Sequence, residues 1–71
     1  MNAKSATFDL LDHTSIGEVF TGLVLARCVG ELTKEYHYPA TTLRYMRQWR
    51  AIRGRKVECI NKPRSMYEVV G

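Results

Sequence analysis

Residues 31–53 read ELTKEYHYPATTLRYMRQWRAIR, and the architecture turns on them. Its pivot is Pro39. The residue before a proline is pushed out of helical geometry, so a short helix from about Glu31 is predicted to stop near His37. Proline is at home in the first turn of a helix, so Pro39 can open the next one, with Thr41 or Thr42 as alternative caps. Helical spacing then runs from about Thr41 to Arg53, and Gly54 stands where a helix-ending glycine belongs. At about 100° per residue, Leu43, Tyr45, Met46, Trp49 and Ile52 fall on one broad side. Arg44, Arg47, Gln48 and Ala51 share the other, with Thr41 at its edge and Arg50 on the border. One face is built to pack, and the opposite face offers two guanidinium groups and an amide.

Upstream, Ser15 and Glu18 form a capping box. It predicts a helix from Ser15 to about Val29, with Ile16, Val19, Phe20 and Leu23 at helical spacing. Val24, Leu25, Cys28 and Val29 make that helix apolar on several sides, the pattern of a central, buried element. Gly22 allows close packing within it, and Gly30 is read as its boundary. Residues 1–12 fit either a short strand or a helical turn, with Phe8, Leu10 and Leu11 expected to pack. Downstream of Gly54 the period changes to two. Val57 and Cys59 alternate with Lys56, Glu58 and Ile60, and Tyr67 and Val69 alternate with Met66, Glu68 and Val70. Between the runs lies Asn61-Lys62-Pro63-Arg64, rich in turn chemistry. This predicts a β-hairpin with a basic tip.

Charge is divided along the chain. Residues 1–39 hold Lys4, Arg27 and Lys34 against Asp9, Asp12, Glu18, Glu31 and Glu35. Residues 40–71 hold Arg44, Arg47, Arg50, Arg53, Arg55, Lys56, Lys62 and Arg64 against only Glu58 and Glu68. A solvated face usually mixes signs, whereas no acidic residue occurs between Glu35 and Glu58. The asymmetry points to a polyanion-binding surface in the second half.

The 71 residues allow one domain, residues 1–71. A chain of this size buries only ~60% of the surface it exposes when unfolded. That argues against a Rossmann or barrel fold and against a large catalytic cleft. The 45% hydrophobic content argues against disorder. The most apolar stretch, Val19–Val29, is about half the ~20 residues a membrane span needs, and the first residues lack the pattern of a secretory signal. Cys28 and Cys59, far apart and among apolar neighbours, read as buried free thiols. The expected compartment is the cytoplasm (nucleoid-associated, or the host cytoplasm for a viral protein), or the nucleus in a eukaryote.

Leu32-Thr33-x-x-Tyr36-His37-Tyr38-Pro39-x-x-Thr42-Leu43-Arg44 resembles the helix-turn-helix pattern L-A-x-x-L-G-V-S-x-x-T-V-x, with the spacing kept throughout. Thr33 stands at the small residue where the helices cross, Tyr36 and Tyr38 at apolar positions, and Thr42 and Leu43 at the opening of the recognition helix. His37 replaces the turn glycine and Pro39 the capping serine. A basic hairpin directly after the second helix resembles the winged subclass. The resemblance implies a mainly α fold with a C-terminal β-hairpin, a three-helix winged helix-turn-helix with the motif at about 31–53 and the wing at about 56–70. It implies sequence-specific binding of double-stranded DNA, with transcription regulation as the expected role. The residues implied in DNA contact are Thr41, Thr42, Arg44, Arg47, Gln48, Arg55, Lys56, Lys62 and Arg64, with Arg53 beside Arg55 and Lys56 along the backbone. Arginine pairs with guanine and glutamine with adenine in the major groove. Symmetric operators need two recognition helices, so a homodimer is compatible, although no segment stands out as its interface.

Other chemistry is weaker. Asp12-His13-Thr14-Ser15 invites a catalytic triad, but triad members meet through the fold, and helix capping explains the stretch. His13, Cys28, His37 and Cys59 lack the short spacing of a structural zinc site, and no phosphate-cradling glycine pattern or H-E-x-x-H occurs. No enzyme activity, metal or cofactor is expected. The alternative function is a winged-helix adaptor whose basic face docks an acidic protein, since fold does not fix function. RNA binding ranks lower because the aromatics sit at core-like helical positions.

Overall fold

The computed structural model describes residues 1–71 as three helices and a three-stranded antiparallel sheet. In chain order these are α1 (Ala3–Asp12), β1 (Val19–Thr21), α2 (Gly22–Thr33), α3 (Pro39–Arg53), β2 (Val57–Asn61) and β3 (Met66–Val69). The sheet order is β1-β3-β2, and each helix packs against the other two.

The ambiguous first residues form a full helix. The Asn2 side chain caps α1 by accepting from the Ser5 N–H at 2.8 Å. Ala6, Thr7 and Leu11 are buried, and Ala3 and Leu10 pack against the core. That is helical spacing carried largely by small side chains. The Thr7 hydroxyl donates to the Ala3 carbonyl at 2.7 Å, so its burial leaves no polar atom unpaired.

The predicted helix from Ser15 begins later than its capping box suggests. Residues 15–18 make a turn, with Gly17 at φ +95°, a left-handed conformation that favours glycine. Val19–Thr21 then pair with β3 in the register Val19↔Glu68, Phe20↔Tyr67, Thr21↔Met66. The true cap of α2 is Thr21, whose hydroxyl accepts from the Val24 N–H at 3.1 Å. Only one side of α2 is buried, through Gly22, Leu25, Ala26 and Val29, while Leu23, Val24 and Leu32 face solvent. Gly30 lies inside the helix and not at its end. A Cβ there would come within 2.9 Å of the Glu35 carbonyl oxygen, so the glycine lets the chain fold back closely. The separate helix expected from Glu31 does not form; α2 runs to Thr33 and ends on Lys34 at φ 61°.

Helix α3 opens with Pro39 at its first turn and ends on Gly54 at φ 64°. Its buried side, Thr42, Leu43, Met46 and Trp49, joins Leu11, Leu25, Val29, Val57 and Val69 in one core. The hairpin forms as expected and gains β1 as a third strand, with Phe20 and Tyr67 stacked at 6.0 Å. An irregularity between Cys59 and Asn61 leaves Ile60 without a partner on β3, a β-bulge that twists the strand. Cys59 is exposed and Cys28 half-buried, so neither is the buried thiol expected, although both are free. No helix is long and apolar enough to cross a membrane.

Candidate nucleic-acid interface

The outward stripe of α3 runs Ala40, Arg44, Arg47 and Ala51, and all four are exposed. Three or four residues separate neighbours, so they stack along one line of the helix. Thr41, Tyr45 and Gln48 line one flank, half-buried, and Arg50 is exposed on the other. Arg44 lies over the Tyr45 ring at 5.5 Å, which steadies the guanidinium without neutralising it. Neither Arg44, Arg47 nor Arg50 has a carboxylate partner, because the only ion pair in the molecule is Arg53–Asp12.

The hairpin tip reaches the same end of the molecule as the first half of α3. Ser65, in the turn after Arg64, accepts from the Gly22 N–H at 3.0 Å. A Cβ on that glycine would meet Leu43 Cδ1 of α3 at 3.0 Å. Gly22 therefore touches both the tip and α3, and its missing side chain permits the approach. Lys62 and Arg64 are exposed in this turn, which is held by the Asn61 side chain accepting from the Arg64 N–H at 3.3 Å.

Four of the expected contact residues stand elsewhere. Thr42 is 0% exposed, and its hydroxyl donates to the Pro39 carbonyl at 3.0 Å; it is turned into the helix and cannot meet DNA, whereas Thr41 is part-exposed, and neither threonine is the cap expected, since α3 starts after Tyr38 with no side-chain cap. Arg55 is tied down: its Nε donates to the Gly71 carbonyl at 2.7 Å, and its guanidinium lies over the Trp49 ring at 5.1 Å. Arg53 turns toward α1. Its Nε and a terminal nitrogen donate to Asp12 at 3.1 and 3.2 Å, and its guanidinium lies over Phe8 at 5.4 Å. Lys56 is exposed, but it immediately precedes β2 at the end of the hairpin away from the tip, where its backbone bonds to Val70 and Gly71. The basic residues thus divide into an outward set and a structural set.

Asp12 is the hub of the structural set. It accepts from the indole Nε1–H of Trp49 at 2.8 Å as well as from Arg53. The hydrogen bonds from these two partners, Arg53 first, hold its carboxyl below the ordinary value of 3.8. His13 ends α1 with Nδ1 2.7 Å from the Asp9 carbonyl oxygen, and this bond raises its pKa above 6.5. Thr14 donates to the Leu11 carbonyl at 2.6 Å. The Asp12-His13-Thr14 run therefore finishes a helix. No group of three histidine, cysteine or acidic side chains converges where a metal could sit.

The turn 34–38 departs from the motif. The left-handed residue is Lys34, not His37. The Thr33 hydroxyl lies 3.0 Å from the Val29 carbonyl and 2.7 Å from His37 Nε2. Thr33 closes α2; the small residues buried within α2 are Gly22 and Ala26. Tyr36 and Tyr38, expected at apolar positions, are 78% and 67% exposed and meet edge to face at 5.1 Å. The sequence carries no signal for this pair, since tyrosine in a packed position and tyrosine on a turn look alike. Compared with known proteins, the chain matches no family model, no curated protein and no solved structure.

Proposed function

We propose that the chain binds double-stranded DNA as a winged helix-turn-helix module, with α3 in the major groove and the hairpin as the wing. The observation that carries this is the outward stripe of α3, in which Arg44 and Arg47 stand unpaired between two alanines. Small residues on either side of two arginines let a helix approach base edges closely. Arginine bonds guanine O6 and N7 with two parallel donors, and Gln48 on the flank suits adenine. Lys62 and Arg64 at the tip supply phosphate contacts on one side of the helix, and Thr41 with the first turn of α3 supplies another. The order helix, strand, helix, turn, helix, hairpin supports the same reading.

The test is fluorescence anisotropy of a labelled mixed-sequence duplex, titrated at several salt concentrations. Four phosphate contacts would give a slope of log K against log salt of about −3.6, and two about −1.8. No binding at low salt by a folded sample would refute the proposal. A second reading, an adaptor that docks a protein, draws on Tyr36 and Tyr38, which are exposed side by side at the turn. One tight acidic protein partner without DNA binding would favour it.

A further inference from the structure

A second face of the molecule carries apolar groups that nothing within the chain covers. Val24, Cys28 and Leu32 follow one another four residues apart along α2 and form a ridge. Val24 is 48% and Leu32 44% exposed, and Cys28 is half-buried between them. Beside the ridge lies a groove of about 200 Å³, walled by Leu10 of α1 and Phe20 of β1. Ile16 and Val19, in the adjoining turn and strand, are also exposed. This seam between α1 and α2 is on the far side of α2 from α3. The groove on the α3 side is lined instead by Leu23, Gly30 and Pro39.

We infer that this ridge is the contact surface of a homodimer, in which α2 pairs antiparallel with α2 of a second copy about a two-fold axis at Cys28. Two observations select a second copy as the occupant. The first is the charge along the ridge. Arg27 and Glu31 lie one turn apart on the same flank and form no ion pair within the chain. An antiparallel two-fold brings equivalent flanks together, so Arg27 of each copy meets Glu31 of the other. A surface that carries both signs this way is complementary to itself, whereas the basic face of α3 would repel its own copy. The second is the apolar register. A two-fold at Cys28 sets Val24 opposite Leu32 of the second copy and each Cys28 opposite its counterpart. Rows of residues four apart from two helices interdigitate in the commonest helix-packing class. A helix of twelve residues is about 18 Å long and about 10 Å wide, a face of roughly 200 Å², well below a standard interface of about 800 Å² per partner. The association is therefore weak and concentration dependent. It leaves α3 free, so it is independent of the DNA reading.

Sedimentation equilibrium up to millimolar concentration tests the pairing, with Trp49 emission as the check on folding. The expected result is a reversible dimer that Val24→Asp weakens by about tenfold or more. Glu31→Arg should also weaken it, and adding Arg27→Glu should restore it, which a loss of folding could not do. Mild oxidation of a Cys59→Ser variant should then trap a covalent dimer through Cys28. A monomer at every concentration overturns the inference, as does a dimer indifferent to both Val24→Asp and the charge exchange. A dimer that yields no Cys28 crosslink overturns the proposed register.

Discussion

Replacing Asp12 by alanine should cost more than its exposed position suggests. The carboxylate is reached by solvent, but its partner is the indole N–H of Trp49, a side chain 0% exposed. Alanine leaves that donor buried and unpaired, at a cost of about 1–3 kcal/mol. Each kcal/mol shifts the melting temperature of a domain this size by about 4–8 °C, so the expected fall is roughly 4–24 °C. Asp12→Asn keeps an acceptor for the indole and loses only the charge, so it should cost about 1 kcal/mol. Arg53→Ala should matter less than Asp12→Ala, because an open ion pair is screened. Trp49 is the only tryptophan, so its emission follows the melt without a label.

The pH dependence has a definite sign. The Asp12 carboxyl is held below 3.8 in the folded state, so its stabilisation is full above about 3.8 and is lost as pH falls through the folded value. The gap between the wild type and Asp12→Asn should therefore close in acid. His13 works in the opposite sense. Its pKa is raised above 6.5, so its contribution is full below about 6.5 and is lost as pH rises through the folded value. Equal melting temperatures for Asp12→Ala and Asp12→Asn, or a gap that persists in strong acid, would refute this account of Asp12.

Other outcomes follow from the same geometry. If Arg47 reads a guanine, Arg47→Ala should lose ~1–3 kcal/mol of discrimination between duplexes; equal weakening on all sequences, measured by competition, would reject base reading. Lys62→Ala with Arg64→Ala should make the salt slope about two units shallower if both touch phosphate, and an unchanged slope would remove the wing from the interface. Gly30→Ala should destabilise despite alanine's helical preference, because its Cβ would meet the Glu35 backbone oxygen at 2.9 Å; a raised melting temperature would contradict this. Glu58 and Glu68 stand opposite each other on β2 and β3, so Glu58→Lys should stabilise by about 0.2–1 kcal/mol, as urea unfolding can measure.

What the sequence made legible had strong local punctuation. Pro39 and Gly54 bracket α3, and Asn61-Lys62-Pro63-Arg64 marks the hairpin turn; all three act within a few residues of themselves. Helix α1 was harder to read because its buried stripe includes Ala3, Ala6 and Thr7, which carry little hydrophobic signal. Strand β1 was illegible for a different reason. It is three residues long and is held by pairing with residues 66–68, so its cause lies at the other end of the chain. Gly30 reads as a helix end until the Glu35 carbonyl that requires it is placed in space. At the candidate interface, periodicity put Arg44 and Arg47 outward. It could not separate Thr41 from buried Thr42, nor foresee that Arg53 and Arg55 bind the protein itself.

The sheet order has a consequence for how the chain comes into being. β3 is the middle strand, yet it follows every other element in the chain. As the protein emerges from a ribosome, β1 and β2 are made first and have no partner until residues 66–69 have cleared the exit tunnel. Val69, at 0% exposure, also closes the core at that moment. Nascent chains stalled before Met66 should remain open to proteases along their whole length, and folding should follow release of β3 in a single step.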